Sequence, residues 1–242
     1  MDLAKSVAIG IICKTPQSGS SKTRLSPPLH PDECAEISRC FIGDLAATIS
    51  LLTQNSGIAG YAVYTPVGSE ERLRGLLPSG FGLTAQGKGD LGARLSKGIE
   101  DLIDLGHAGA ILVNSDSPTL PPQILRDAAE GLRQGDRVVI SPAIDGGYTF
   151  IGLSRPHPEL FTDIPWSTDV VFSLTLQKAK AIGLETQVLD PWYDVDDANS
   201  YAMLEAELAG RRPNFADPAR PLQDAPRTRQ FVMHRRNSRA AQ

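Results

Sequence analysis

The chain has 242 residues, of which 41% are hydrophobic and 21% charged, and its formal net charge is −4. This composition is typical of a soluble globular protein and excludes fibrous and wholly disordered classes. Three cysteines without a CxxC pair exclude a disulfide framework and a thiolate zinc site, and the acidic balance argues against a nucleic-acid binder. No apolar run approaches the length of a membrane span, so we expect a cytoplasmic protein.

Strand-like and helix-like segments alternate along the first 210 residues. Apolar, β-branched runs predict strands at 6–13, 61–65, 82–85, 110–114, 137–141, 148–153 and 185–189. Apolar residues spaced three or four apart predict helices at 31–52, 70–77, 91–105, 123–134, 168–182 and 197–209. Strands separated by helices of this length indicate right-handed βαβ units and a mostly parallel sheet. The predicted fold class is therefore α/β.

Residues 211–242 differ from the rest of the chain. They contain 8 arginines and 2 aspartates, a net charge of +6, which leaves −10 on the first 210 residues. Four prolines and few core-forming side chains predict a disordered or loosely attached segment. We therefore predict one domain at 1–210 followed by a tail at 211–242. A partner-binding or nucleic-acid-binding arm is the alternative interpretation of the tail.

A polar, basic segment follows the first predicted strand, at the end of the sheet where ligands bind in α/β proteins. It runs from Lys14 to Arg24, and its Gly and Ser residues allow backbone N–H groups to turn toward an anion. Lys14, Lys22 and Arg24 add positive charge, so the segment predicts a polyphosphate site. It is not a Walker A motif. A solvated surface loop remains the alternative.

Acidic residues follow two other strands. Asp116 comes directly after the strand at 110–114, and Asp194, Asp196 and Asp197 precede the last predicted helix. Magnesium prefers one or two carboxylates, with phosphates and water as its other ligands. Asp116 and Asp196 are therefore the predicted ligands of Mg²⁺ or Mn²⁺. Each aspartate would serve equally as a turn or helix cap, and the sequence does not decide which of the last three binds metal.

Three further segments carry candidate binding residues. Residues 86–94 open a predicted helix and are suited to a ribose or base, with candidates Gln86, Gly89, Asp90, Gly92 and Arg94. A turn between two strands is either a plain hairpin or an opening for an acceptor, and consists of Asp145, Gly146, Gly147 and Tyr148. The residues before the next predicted helix either cap that helix or form part of a wall beside the acceptor; they are Trp166, Ser167 and Thr168. No histidine spacing or nucleophile elbow indicates a hydrolase.

Taken in order, these motifs resemble GT-A-like transferases labelled rSAM/selenodomain-associated transferase 1, also known as arsenosugar-biosynthesis-type glycosyltransferases. The matching elements are Lys14-Thr15-Pro16 through Gly19 to Lys22-Thr23-Arg24-Leu25, Gln86 to Arg94, Ser115 to Pro118, Asp145 to Tyr148, Ile164 to Thr168, and Asp194-Val195-Asp196. The resemblance spans residues 7 to about 208. It implies a nucleotide-diphospho-sugar transferase fold, a three-layer α/β/α sandwich with the nucleotide at the carboxyl ends of the strands.

The leading hypothesis is metal-dependent glycosyl transfer from a nucleotide-diphospho-sugar to a small acceptor. In this hypothesis Asp116, with Asp196, holds the metal on the diphosphate, and Lys22 and Arg24 stabilise the charge on the leaving group. The predicted nucleotide-binding residues are Lys14, Gly19, Lys22, Arg24, Gln86, Gly89, Asp90, Gly92 and Arg94. The predicted acceptor residues are Asp145, Gly146, Gly147, Tyr148, Trp166, Ser167 and Thr168.

Two alternatives use the same motifs differently. The first is a guanylyltransferase-like nucleotidyltransferase, which joins an NTP-derived nucleotide to a phosphorylated small molecule and releases pyrophosphate. The second is a non-catalytic nucleotide-binding or partner-binding protein, in which the arginine-rich tail is the functional part.

Overall fold

A seven-stranded sheet forms the centre of the molecule in a computed structural model, which describes residues 3–54 and 57–240. The strands are β1 (Val7–Lys14), β2 (Ile58–Thr65), β3 (Gly82–Ala85), β4 (Gly109–Asn114), β5 (Arg137–Pro142), β6 (Tyr148–Leu153) and β7 (Glu185–Val188). Their order in the sheet is β3-β2-β1-β4-β6-β5-β7. Only β6 runs antiparallel to its neighbours among the described strands. The predicted mostly parallel sheet is confirmed.

Helices cover both faces of this sheet. They are α1 (Pro31–Thr53), α2 (Glu70–Arg74), α3 (Leu91–Asp104), α4 (Pro122–Leu132), α5 (Val171–Ala181), α6 (Ala198–Leu208) and α7 (Pro226–Ala240). Short 3₁₀ turns occur at Leu3–Lys5, Thr23–Leu25 and Pro158–Leu160. In the described part of the chain, no helix is long and apolar enough to cross a membrane.

The central strands are buried on both faces, which explains their nearly continuous apolar sequences. Along β1, Val7 and Ile9 belong to a core formed with α1, α4 and α6, whereas Ala8 belongs to a core formed with α3 and α5. Successive side chains of a strand point to opposite faces, so one strand contributes to both cores. The α/β class predicted from the alternating segments and the three-layer sandwich implied by the family resemblance are therefore confirmed.

The segment from residue 211 differs from the predicted disordered tail. Its helix α7 lies against α1, and the buried Asp44 carboxylate accepts hydrogen bonds from the backbone N–H groups of Arg227 (3.1 Å) and Thr228 (2.8 Å). The guanidinium of Arg235 pairs with Glu33 at 3.0 Å, and its side chain is only 6% exposed. Arginines of this segment, which the sequence predicts to be solvated, therefore pair with carboxylates in the first 210 residues. The division of the chain into a domain at 1–210 and a tail at 211–242 stays a prediction.

Candidate functional site

Two adjoining cavities lie at the carboxyl ends of the strands. The first, of about 450 Å³, is lined by charged residues that include Lys14, Lys22, Arg24, Arg94, Asp116, Asp194 and Asp196, and we call it the cation-rich cavity. The second, of about 350 Å³, is lined by Arg24, Asp145, Asp169, Asp194, Asp196 and several uncharged residues, and we call it the acidic cavity. The two cavities share Arg24, Leu91, Asn114, Asp194 and Asp196. A larger cavity, of about 640 Å³, lies between α1 and α7 and contains none of the predicted site residues.

Lys22 is the centre of the cation-rich cavity. Its ammonium group lies 2.6 Å from Asp116 Oδ2, 2.7 Å from Asp196 Oδ1 and 2.9 Å from the carbonyl oxygen of Val195. All three ammonium protons therefore have an acceptor. The Lys22 backbone adopts the left-handed conformation, with φ 49° and ψ 40°, which non-glycine residues adopt rarely and often at functional sites.

The charges in this cluster shift one another's ionisation. Burial by itself would lower the pKa of Lys22, but the carboxylates of Asp116 and Asp196 outweigh it and raise this pKa above its usual value. Burial acts against ionisation of Asp196 also, yet Lys22 and Arg24 lower its pKa. Arg24 donates to Asp196 Oδ2 at 2.5 Å while its own side chain is 70% exposed. Lys22 and Asp196 are therefore charged at neutral pH, with Arg24 at the solvent boundary.

Asp194 and Asn114 lie where the two cavities meet. Asp194 was one of the three aspartates among which the sequence left the metal ligand open, whereas Asn114 was not predicted as a binding residue. Asp194 accepts hydrogen bonds from Ser117 Oγ at 2.5 Å and from Asn114 Nδ2 at 3.0 Å. Burial raises the pKa of Asp194 to about 7, with a further contribution from the charge of Asp116. The same Asn114 amide donates to the carbonyl oxygen of Tyr148 at 2.9 Å, which ties β4 to the start of β6. For Asn114, the last residue of β4, the position at a strand end was the available sequence signal.

A divalent cation has a partial ligand set here. Within the described residues, no three His, Cys, Asp or Glu side chains converge as a metal site. Two carboxylates do converge, because Asp116 and Asp196 both contact the Lys22 ammonium. Magnesium is commonly bound by one or two carboxylates with substrate phosphates and water. The predicted pair therefore fits a cation that arrives together with a phosphate ligand. Asp197, the third candidate, instead caps α6 by accepting from the backbone N–H of Ser200 at 2.8 Å.

The predicted nucleotide-binding residues at 86–94 divide into two groups. Gln86 and Arg94 line the cation-rich cavity, and the Gln86 amide is held by the carbonyl oxygens of Cys13 (2.9 Å) and Val63 (3.0 Å). Asp90 instead caps α3, since its side chain accepts from the backbone N–H of Ala93. The remaining predicted glycines do not line the cavity in the described chain: Gly19, Gly89 and Gly92. A Cβ at Gly92 would lie 2.4 Å from the carbonyl oxygen of Phe161, so this glycine permits close packing.

The acidic cavity brings together the two segments predicted to face an acceptor. Asp145, Gly147, Tyr148, Trp166, Ser167 and Thr168 all line it. Gly146 joins the two segments by contact: its φ is +92°, and a Cβ there would lie 2.2 Å from the carbonyl oxygen of Asp169. The hairpin interpretation of this turn is also confirmed, because β5 and β6 pair antiparallel across it.

One prediction about the second segment is wrong. The sequence predicted that Ser167 or Thr168 caps a helix beginning at 168, whereas α5 begins at Val171 and its N-cap, Val170, makes no side-chain cap bond. Thr168 Oγ1 instead donates to the carbonyl oxygen of Pro165 at 2.7 Å, and Ser167 has a φ of 65°. These residues form a turn on the cavity wall, because the hydroxyl bonds locally rather than to a helix N–H.

Comparisons with known proteins agree with this architecture. A family described as "Uncharacterized protein conserved in bacteria (DUF2064)" matches residues 48–168, half of the chain. A crystal structure of a candidate nucleotide-diphospho-sugar transferase from Desulfovibrio desulfuricans G20 superposes with a TM-score of 0.78 and 26% identity, covering 96% of this chain and 95% of that chain. The nucleotide-diphospho-sugar transferase fold implied by the motifs is thus confirmed, while the rSAM/selenodomain label stays a prediction.

More distant structures share the fold alone. A cytidylyltransferase from Leptospira borgpetersenii has a TM-score of 0.55 and 11% identity, covering 97% of this chain and 95% of that chain. A CMP:2-keto-3-deoxy-manno-octonic acid synthetase complexed with CTP has a TM-score of 0.53 and 13% identity, covering 86% of this chain and 100% of that chain. No curated protein sequence matches the chain significantly.

Proposed function

Since this chain belongs to the DUF2064 family and has the fold of nucleotide-diphospho-sugar transferases, we propose that it is a metal-dependent glycosyltransferase. It would move a sugar from a nucleotide-diphospho-sugar donor to a small acceptor. The observation that carries the proposal is the pairing of two cavities at the strand ends. Four cationic side chains line one cavity, hydroxyl and carboxyl groups line the other, and both share Arg24, Asp194 and Asp196.

The cation-rich cavity is suited to the diphosphate of the donor. Lys14, Arg24 and Arg94 line the same cavity as the carboxylate pair, and Lys22 contacts both members of that pair. In glycosyl transfer an acceptor oxygen bonds to the anomeric carbon, and the bond from that carbon to the phosphate oxygen breaks. The electron pair leaves with the nucleoside diphosphate, and the acceptor hydroxyl loses its proton to a carboxylate or water. Fixed cations beside the phosphates stabilise the charge that develops on this leaving group.

Asp116 and Asp196 are the residues that would hold Mg²⁺ or Mn²⁺. When bound, the cation supplies Lewis-acid stabilisation of the diphosphate. Lys22 holds the two carboxylates close together, since both contact its ammonium group at 2.6 and 2.7 Å. Gln86, whose amide is anchored on β1 and β2, would contact the nucleotide beside them.

A nucleotidyltransferase is the second candidate function. The observation that favours it is the number of cations in one cavity, which would also suit a triphosphate. In that reaction an acceptor phosphate oxygen attacks the α-phosphate, and pyrophosphate leaves. The released product therefore separates the two functions.

The test is product analysis with the full chain. The protein is incubated with nucleotide sugars or with NTPs, together with Mg²⁺ or Mn²⁺ and a pool of acceptors. Release of a nucleoside diphosphate from a nucleotide sugar is the expected result. Asp116→Asn should reduce this release by about 100-fold or more, a typical cost of removing electrostatic stabilisation of a leaving group.

Asp163→Asn is the matched control, because Asp163 is an exposed aspartate that lines neither cavity in the described chain. Its variant should retain wild-type turnover. Pyrophosphate release from an NTP with a phosphorylated acceptor would overturn the glycosyltransferase assignment in favour of the second candidate. If neither product forms, and deletion of 211–242 abolishes nucleotide binding that Asp116→Asn leaves intact, the non-catalytic alternative is favoured.

A further inference from the structure

The acidic cavity has a charge opposite to that needed for an anionic ligand. Its lining includes the carboxyl groups of Asp145, Asp169, Asp194 and Asp196, and Arg24 is its one cationic side chain among the described residues. Even with Asp194 protonated, carboxylates outnumber the guanidinium. The neighbouring cation-rich cavity shows the reverse balance. The two halves of the cleft are therefore distinguished by charge.

Two carboxylates of the acidic cavity, those of Asp145 and Asp169, have no cationic partner in the described part of the chain. Asp145 and Asp169 are both exposed, and no ion pair joins either of them to a cation within residues 3–54 and 57–240. Asp145 Oδ1 accepts one hydrogen bond, from the backbone N–H of Gly147 at 3.0 Å. The one nearby cation, Arg24, donates to Asp196 at 2.5 Å. A phosphate entering this cavity would meet unpaired like charges, which repel it.

The cavity also offers uncharged hydrogen-bonding groups and an aromatic wall. Ser167 and Thr168 place exposed hydroxyl groups on it. Tyr148 lines the same cavity and is 6% exposed, and its phenol hydroxyl has no hydrogen-bond partner in the described chain. The ring of Trp166 packs edge-on against that of Tyr148, with centroids 6.5 Å apart. The acidic cavity therefore combines exposed hydroxyl groups with an aromatic wall.

From this distribution of charge we propose that the acceptor is a hydroxyl-bearing small molecule without a phosphate or carboxylate group. This inference rests on the proposed transferase function. Carboxylates accept hydrogen bonds from hydroxyl or ammonium groups and do not donate to an anion at neutral pH. Asp145 and Asp169 would therefore bind acceptor hydroxyls, and they would exclude the phosphate esters of the same molecules.

The experiment compares matched acceptors with the full chain. Glucose and glucose 6-phosphate form one pair, glycerol and glycerol 3-phosphate another, and glucosamine tests an added positive charge. Release of nucleoside diphosphate from the nucleotide sugar, or of pyrophosphate from an NTP, is measured for each acceptor. Binding of each acceptor in the presence of the nucleoside diphosphate is measured by calorimetry. We expect the uncharged member of each pair to be preferred at least tenfold.

The variant Asp145→Asn/Asp169→Asn, compared with Asp163→Asn, attributes the preference to the cavity. The double variant should gain at least fivefold in use or binding of the phosphate esters, while its affinity for the nucleoside diphosphate stays unchanged. Asp163→Asn should behave as the wild type. Equal or stronger use or binding of the phosphate esters by the wild type overturns the inference, as does binding of neither class.

The two proposals can fail separately. Pyrophosphate release from an NTP with a preference for neutral acceptors would mean that an acceptor hydroxyl, not a phosphate, attacks the α-phosphate. That outcome would refute glycosyl transfer and leave the acceptor inference intact. Nucleoside diphosphate release with a preference for phosphate esters would do the opposite.

Discussion

Lys22→Met tests whether one ammonium group holds the site together. Methionine preserves most of the aliphatic stem but removes the charge, which lies 5.9 Å from the centroid of the Phe41 ring. Asp116 and Asp196 would then face each other without a cation between them. We expect the variant to fold but to be less stable than the wild type, because two ionised carboxylates repel at short range.

The size of the effect follows from the distances. Both carboxylate oxygens lie within 2.7 Å of the same nitrogen, so they are at most about 5 Å apart. At an effective dielectric constant of about 20, two unit charges at this distance repel by about 3 kcal/mol. Their side chains are 28% and 32% exposed, so water and salt reduce the repulsion. We therefore expect the free energy of unfolding to fall by about 2–3 kcal/mol, which corresponds to a fall of about 4–12 °C in melting temperature.

Urea denaturation at pH 7.5 in low salt with a chelator measures the loss. Arg24→Met is the matched control, since Arg24 pairs with the same Asp196 but is 70% exposed. That variant should lose under about 1 kcal/mol. If Lys22→Met is as stable as the wild type, or if both variants lose the same amount, the shared-ammonium reasoning is refuted.

A metal titration extends the test. The Lys22 ammonium contacts the two carboxylates that would hold the metal, so it should compete with Mn²⁺ for them when no nucleotide is bound. Without Lys22, Mn²⁺ should therefore bind the carboxylate pair in the absence of nucleotide and stabilise Lys22→Met more than the wild type. Binding of a ligand to the native state alone raises stability by about 2.7 kcal/mol at 100 times its dissociation constant. Mn²⁺ binding followed by electron paramagnetic resonance gives an independent readout. Equal Mn²⁺ affinity in both proteins would contradict competition between Lys22 and the metal.

Three further outcomes are expected. The pKa of Asp194 is about 7 in the folded chain against an ordinary value near 4, so the folded state holds the proton more tightly. The free energy of unfolding should therefore fall as the pH rises from about 4 to 7. Asp194→Asn should flatten this part of the pH profile in urea titrations, and an unchanged profile would contradict the prediction. Gly146→Ala should lower the free energy of unfolding by about 2–4 kcal/mol in thermal denaturation, because the added Cβ would overlap the backbone of Asp169. Gly183→Ala is the control and should lower it by about 1 kcal/mol, since Gly183 has a φ of +69° but open space around it. Equal losses would contradict the contact argument. Asp44→Ala should lower the free energy of unfolding by about 1–2 kcal/mol and expose α7 to limited proteolysis. The reason is that the Asp44 carboxylate accepts hydrogen bonds from two backbone N–H groups at the start of α7. Unchanged proteolysis would show that these bonds do not hold α7 in place.

The sheet was predictable because its signal is local. A strand buried on both faces reads as a continuous apolar run, and an amphipathic helix reads as spacings of three and four. Predicted boundaries therefore fall close to those observed, as at β6 (Tyr148–Leu153) and β3 (Gly82–Ala85). The helix in the tail was harder to predict, because residues 211–242 show no regular spacing of apolar residues. Their docking depends on Glu33 and Asp44, which belong to a distant helix.

The sequence by itself determined the fold class and which segments carry polar chemistry, because both are written in neighbouring residues. The tertiary structure decided what each polar residue contacts. Lys22 and Asp196 are 174 positions apart. They meet because the chain after β7 runs back across the strand ends, where Trp192 bridges to Ala143 and the backbone N–H of Val195 donates to the carbonyl oxygen of Asp116. Asp90 and Asp197 cap helices while Asp116 and Asp196 bind a shared ammonium, although all four are aspartates at element ends. That distinction depends on packing across the whole chain, which no local pattern encodes.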